Sequence, residues 1–518
     1  MSLRAGAAAA ALLALALPSL ARAAPPVELV RRGITHAAKA HWLKPAEVAR
    51  YRADVAWAER DLNGLPKLRA RLIASQLSQL TPLWDSYTSP RALTLFSQLE
   101  QNLTYFETHR VPSARVDVTD ADGVVYRYFS GLGLEFHPLA AFSALDNLAA
   151  AQNADATRTL AAALVARAIP HGPRLIWEYT FPFGGGAAPW ASGMAQAVAA
   201  EALARAGSLV QDPSLVSAAG RAFAAAAGLV LPVPSGPWIR LYGFNREIVL
   251  NAQLQSIVSL FGYGKTAGDT RATALAQAMT AAAQALFGRF DTGEWSRYEL
   301  GGGYAPREYQ LFVTQLLAQL AVQTQDPFWT AAAQRFRNYL YAPAQVSEGT
   351  PPPTLYPQPQ DGWLDSASIP IVLSQRASVT VAIAGKLTTY RFAAGSHVLT
   401  WTPPPTLPPG TYPVQVETVT YAGNRKTTTL APLVVAWDNA PPPVQAQVNG
   451  TSLSWQDDEP GTPWLELTVT FADGTTQDLG HQPTSGSAVL TSAPTSLTAT
   501  NSAGLTTTVP FGTVGGAG

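Results

Sequence analysis

Three tyrosines near the middle of the chain each follow an arginine by one or two residues: Arg240 and Tyr242, Arg297 and Tyr298, Arg307 and Tyr309. The planar fork of arginine suits a carboxylate, which it holds through two hydrogen bonds. A phenol, with an ordinary pKa of about 10, becomes a proton acceptor when neighbouring cations lower that value. These residue types suit removal of a proton from a carbon beside a carboxylate. That reaction needs the acid group neutralised, the enediolate stabilised, and proton-handling groups on opposite faces of the substrate. Arg240 and Tyr242 would share one face of an extended segment, whereas the adjacent Arg297 and Tyr298 require a turn. Arginines also precede Tyr51, Tyr128 and Tyr339, so the pairing alone is not distinctive.

Other residues could complete a binding surface. Trp190-Ala191-Ser192-Gly193-Met194-Ala195-Gln196 follows a glycine run and Pro189, a residue suited to the first helical position. Trp190 is expected on the opening turn of that helix, free to stack on a sugar ring. Ser192 and Gln196 lie one turn apart on one face, to line a pocket or cap backbone. Glu178 and Tyr179 run into this segment, His137 stands before a proline, and Asn251 follows Tyr242 into the next helix. Glu178 with Asp291 or Glu294 would suit the paired carboxylates of a glycosidase. Cysteine is absent, and the seven histidines lack His-x-x-x-His spacing. Disulfides, a cysteine nucleophile and a zinc site are therefore not expected, and the chemistry is expected to use no metal and no cofactor.

The elements that must position these groups fall into two regimes meeting near residue 345. Before it, apolar residues recur at three- and four-residue steps in about eleven stretches, from Ala46–Asp61 to Phe328–Tyr341. Asp212-Pro213 and Asp326-Pro327 mark helix starts. Short turns between the stretches predict stacked αα-hairpins, either an all-α (α/α) toroid with short rim β-hairpins or a solenoid. The rim pieces are Arg115–Val118, Val124–Phe129, Leu175–Phe181, Trp238–Phe244 and Trp295–Leu300. After it, 346–366 reads as a proline-rich linker, and 367–438 and 439–515 as two all-β immunoglobulin- or fibronectin-like sandwiches. Residues 1–23 have the charged start, apolar run and Ala21-Arg22-Ala23 site of a secretory signal, which predicts a secreted, periplasmic or envelope protein with no integral membrane span once it is removed.

Of 518 residues 47% are hydrophobic and 14% charged, enough for packed cores in several domains. Thirty-five basic residues balance 35 acidic ones, which leaves no field for nucleic acid.

The Trp190–Gln196 segment resembles the signature of the C-terminal catalytic domain of D-glucuronyl C5-epimerases, which invert uronic acid residues within heparan-sulfate-type polysaccharides. The family's three later tyrosine motifs are matched by Leu241-Tyr242-Gly243 before Leu250-Asn251-Ala252, by Tyr298-Glu299-Leu300, and by Glu308-Tyr309-Gln310. Order and spacing hold over about residues 170–342, with His137 matching loosely. The resemblance implies that Tyr242, Tyr298 and Tyr309 handle protons. Trp190, Gln196, Arg240, Asn251, Arg297, Arg307, Glu178, Tyr179 and His137 would meet a uronic-acid-containing polysaccharide. A homodimer is the assembly expected. Leu241 replaces the family's glutamate and Gln310 its histidine, which keeps two alternatives open: a catalytically silent glycan-binding or envelope protein, and a uronate lyase.

Overall fold

The computed structural model describes residues 26–512, so the expected signal at 1–23 lies outside the described residues. The chain groups into two compact units. The first runs to Phe290 and includes Tyr298–Gly303 and Gln315–Asp326; the second holds Asp291–Arg297, Tyr304–Thr314 and the chain from Pro327.

The described helices are α1 Pro26–Lys39, α2 Pro45–Gly64, α3 Lys67–Leu80, α4 Ser89–Thr108, α5 Pro138–Ala150, α6 Ala154–Ala166, α7 Gly193–Val210, α8 Pro213–Ala227, α9 Leu250–Ala267, α10 Thr270–Phe290, α11 Arg307–Thr324 and α12 Pro327–Tyr341. The expected stretches correspond to α2 through α12, and α1 is additional. In the first unit α5, α7 and α9 pack side by side, with α6, α8 and α10 as their antiparallel partners. Burial separates the two sets. Every residue from Ser192 to Ala204 in and before α7 is buried, whereas α10 buries one stripe through Ala272, Ala276, Met279, Ala283 and Phe287. A helix enclosed on all sides needs small side chains for its neighbours to approach, which accounts for the alanines of α7. No described helix is long and apolar enough to cross a membrane.

Short strands lead into the buried helices. β1 Asp117–Thr119, β2 Val125–Phe129 and β3 Gly133–Phe136 precede α5. The pairs β4 Ile169–His171 with β5 Arg174–Ile176, and β6 Glu178–Tyr179 with β7 Trp190–Ala191, precede α7. The pair β8 Val230–Val233 with β9 Gly236–Ile239 precedes α9. Two local expectations are corrected. Trp190 lies on β7, paired with Tyr179, and not on a helical turn; Ser192 is the cap and α7 starts at Gly193, after a cis Ala188–Pro189 bond. Trp295–Leu300 forms isolated bridges and no strand, because its residues pair with three separate partners: Asp291 with Ser296, Tyr304 with Arg297, and Val249 with Glu299.

The second unit contains two sandwiches. In one, β10 Val346–Glu348, β11 Ala367–Leu373 and β14 Gly395–Trp401 face β13 Lys386–Phe392, β12 Ala377–Ile383, β15 Gly410–Val419 and β16 Arg425–Val435. The other repeats that topology, with β17 Gln445–Asn449, β18 Ser452–Gln456 and β21 Ser485–Val489 against β20 Thr476–Gln482, β19 Leu465–Phe471, β22 Pro494–Thr500 and β23 Thr506–Pro510. This seven-strand, two-sheet arrangement is fibronectin-like, with alternate residues of the inner strands forming each core. Segment 346–366 is more than a linker. Val346–Glu348 pairs with Ile371–Leu373, and Leu355 is fully buried in the first core, since the open edge of β11 accepts a further strand. Segments 291–297, 304–314 and 327–341, expected inside the helical domain, group with the β modules.

Candidate functional site

Because α5, α7 and α9 are each separated from the next by an antiparallel helix, their N-termini open on one rim. His137 caps α5, accepting the Ala140 amide on Nδ1 at 3.1 Å, and Ser192 caps α7, accepting the Ala195 amide at 3.3 Å. The first amide of α9, from Leu250, donates to the Tyr298 carbonyl at 3.3 Å. The positive ends of three helices on one rim favour an anion there.

An aromatic cluster covers this rim. Tyr179 and Trp190, neighbours across β6 and β7, stack face to face with centroids 4.1 Å apart. Tyr242 and Phe244 meet Trp190 edge-on at 5.6 and 5.5 Å, and Phe183 packs on both Trp190 and Tyr242. Trp190 is 7% exposed and its indole nitrogen donates to the Phe181 carbonyl at 2.8 Å. It is therefore the keystone of the cluster and not a platform for a sugar. Tyr179 is likewise buried at 4%, and desolvation pushes its phenol far up. The outward surface is offered by Phe183, Tyr242 and Phe244, two of which the sequence reading passed over; their aromatic-rich spacing after the glycine run was the available signal.

Tyr242 reaches the hydroxyl of Tyr298 at 3.5 Å. The Arg240–Tyr242 pair does not lie on a strand, since β9 ends at Ile239. Arg240 instead donates to the Gly243 carbonyl at 3.3 Å and braces the turn that presents Tyr242, while its Nε is buried without a partner. Asn251, on the first turn of α9, is buried at 3%. Tyr298 belongs to the first unit; Arg297, Arg307 and Tyr309 belong to the second, where Arg307 is exposed at the start of α11 and Tyr309 half-buried two residues on.

Gln196 is not a binding residue. It is fully buried, its Oε1 accepts the Trp177 amide at 3.2 Å, and its Nε2 donates to the Trp177 carbonyl at 3.1 Å. Gln253 does the same one repeat later, accepting from Ile239 at 2.8 Å and donating to Pro237 and Met279 at 3.0 Å each. Gln310 accepts from the amide of Ser296 at 2.9 Å. The three glutamines are equally spaced along the chain, each the fourth residue of its helix. Each grips a segment at or beside Trp177, Trp238 or Trp295, where short strands leave backbone groups without a ladder partner. The glutamine that replaces the family's histidine thus accepts a backbone amide as two others do, while its buried Nε2 has no hydrogen-bond partner among the described residues.

The glycosidase pairing finds little support in the charge partners. Glu178 is held by Arg91 through two bonds of 3.0 Å, Asp291 by Arg335 and Tyr339 at 2.7 and 2.8 Å, and Glu294 by Tyr304 and Arg391 at 2.6 and 2.9 Å. Carboxylates so neutralised make poor proton donors or nucleophiles. The same pairing takes Glu178 away from the substrate-binding role expected of it.

One segment of the chain matches a known family. Residues 171–338 match the family described as D-glucuronyl C5-epimerase C-terminus. This epimerase-like segment holds all three tyrosines and all three glutamine clamps; His137 lies before it. No curated protein matches the chain significantly. Among solved structures, a GH76 α-mannanase of Bacteroides thetaiotaomicron aligns at 12% identity with a TM-score of 0.31, over 39% of this chain and 59% of its own. The endo-β-1,4-glucanase CMCax of Acetobacter xylinum aligns at 13% and 0.30, over 39% of this chain and 72% of its own. Fibronectin(III)-like modules of Clostridium thermocellum CbhA align at 13% and 0.17, over 32% of this chain and 90% of theirs.

Proposed function

We propose that this chain is an exported enzyme that inverts C5 of uronic acid residues within a polysaccharide. The observation that carries the reading is the pair of hydroxyls, Tyr242 and Tyr298, 3.5 Å apart inside the epimerase-like segment. A sugar ring laid on Phe183, Tyr242 and Phe244 has its carboxylate drawn towards the helix N-termini. One tyrosine, ionised to its phenolate, takes the C5 proton and becomes a neutral phenol as the enediolate forms, and the hydroxyl of the other donates a hydrogen bond to the enediolate. Return of a proton to the opposite face completes the inversion. Departure of the C4 substituent from the same enediolate would give lyase chemistry instead.

Leu241 supports a second reading, a silent glycan binder, since a buried leucine stands where the family has a glutamate. Incubating a uronate polymer with the full chain in deuterium oxide decides among the three. Deuterium at C5 without cleavage supports the epimerase, and an absorbing unsaturated end supports the lyase. Polymer binding with neither product leaves the silent binder.

A further inference from the structure

Segment 291–297 carries Arg297 and leads straight into Tyr298, and side chains of the first sandwich, β10 to β16, reach into it. Glu294 is 4% exposed. Its Oε1 accepts from Nη2 of Arg391, on β13, at 2.9 Å, and lies 3.7 Å from Nη1 of Arg376, between β11 and β12. The hydroxyl of Tyr304 donates to the same oxygen at 2.6 Å. Tyr421, in the turn between β15 and β16, packs on Trp295 and Tyr304 with ring centroids 5.1 and 4.9 Å away. The ends of the segment are tied to helices, Asp291 to Arg335 and Tyr339 of α12, and the Ser296 amide to Gln310 of α11.

The same sandwich grips the end of α12. A helix leaves its last carbonyls without intrahelical donors. Here the sandwich supplies donors at and just past that end: Asn424 to the Leu340 carbonyl at 3.2 Å, Gln375 to that of Ala342 at 2.7 Å, and Thr418 to that of Ala344 at 2.8 Å. Thr418 is fully buried and Gln375 6% exposed. Separating the two surfaces would leave buried polar groups unpaired, so the joint is fixed.

We propose that Glu294 is a positioning residue through which the first sandwich fixes the Arg297–Tyr298 segment for proton transfer. The inference rests on the uronate reading and deepens it, making a β module part of the catalytic apparatus and not a spacer. The segment forms isolated bridges and no strand, so side chains must set its conformation. Precision matters there, because misplacing a reacting group by about 1 Å costs on the order of 100-fold in rate.

Replacing Arg376 and Arg391 together by alanine in the full chain removes both cations from Glu294. Their side chains are 37% and 66% exposed, so neither sandwich core is disturbed. Hydrogen exchange followed by mass spectrometry is expected to run at least tenfold faster over residues 291–305 in this variant, with both sandwich cores as protected as in the wild type. For deuterium incorporation at C5 of a glucuronate polymer, kcat is expected to fall at least fivefold with KM unchanged. Arg391→Lys, which keeps a cation beside Glu294 and leaves Arg376 in place, is expected to stay within about twofold of the wild type in both measurements. Amides of 291–305 that exchange as slowly in the double variant as in the wild type overturn the proposal. So does faster amide exchange with kcat unaltered, or a loss confined to KM. A wild type that incorporates no deuterium at C5 retires the uronate reading and the role in proton transfer with it. Faster amide exchange in the variant then still upholds the sandwich as the holder of the segment.

Discussion

The hydroxyls of Tyr242 and Tyr298 stand 3.5 Å apart, although one follows a rim hairpin and the other lies within an irregular segment of bridges. The backbone fixes both. Arg240 braces the turn before Tyr242, and the Tyr298 carbonyl accepts the first amide of α9. When one of two phenols so placed has given up its proton, the other donates a hydrogen bond to the phenolate and stabilises it.

Removing one hydroxyl should stop the chemistry and leave the fold intact. Tyr298→Phe is expected to lower deuterium incorporation at C5 by about 100-fold or more, within the range for loss of a general acid or base. Tyr242→Phe should lower it by about tenfold or more, with circular dichroism unchanged. Undiminished exchange in both variants would remove the pair from the mechanism.

Gly186 lies against the ring of Phe244, where an added Cβ would overlap the ring itself. Gly186→Ala should push the half-exposed phenyl aside and flatten nothing else. A several-fold rise in KM for the polymer is expected, with a change in unfolding free energy below about 1 kcal/mol. Unaltered KM would show that Phe244 does not meet the sugar.

Gln253→Ala should be costly, since it strands the Ile239 amide and takes a donor from the Pro237 and Met279 carbonyls in the interior. A loss of about 2–4 kcal/mol in denaturant unfolding is expected from unmet hydrogen bonds and the cavity. A loss under about 0.5 kcal/mol would contradict the clamp.

The pH dependence of stability has a definite sign. Desolvation pushes Asp54, Glu135 and Glu201 each up to about 7, partly offset in Glu135 by Gln79 and Gln76 and in Glu201 by Arg205. A carboxyl raised in the folded state stabilises it fully below the unfolded pKa, and that stability is lost as pH rises through the folded value. Thermal unfolding should therefore occur at lower temperature at pH 8 than at pH 5. Glu135→Gln should make the slope shallower by on the order of 1–3 kcal/mol across that window. A slope of opposite sign would mean these carboxyls are ionised and compensated in the fold.

By itself the sequence determined the helices, the two sandwiches and the family segment, because these depend on local periodicity and on motif order. Alternation along Val379–Ile383 and the three- and four-residue steps of α10 are properties of contiguous residues. Tertiary structure decided what the conspicuous side chains do. Gln196 and Trp190 are polar or aromatic residues in a telling motif, yet both turn inward, because short rim strands need side chains to satisfy their backbone and to fill the space beneath them. Val346–Glu348 joined a sheet because an open strand edge lay beside it. The meeting of Tyr242 with Tyr298, and of Glu294 with Arg391, also required the fold. Each is a contact between side chains carried by different segments, and no spacing along the chain encodes the distance between them.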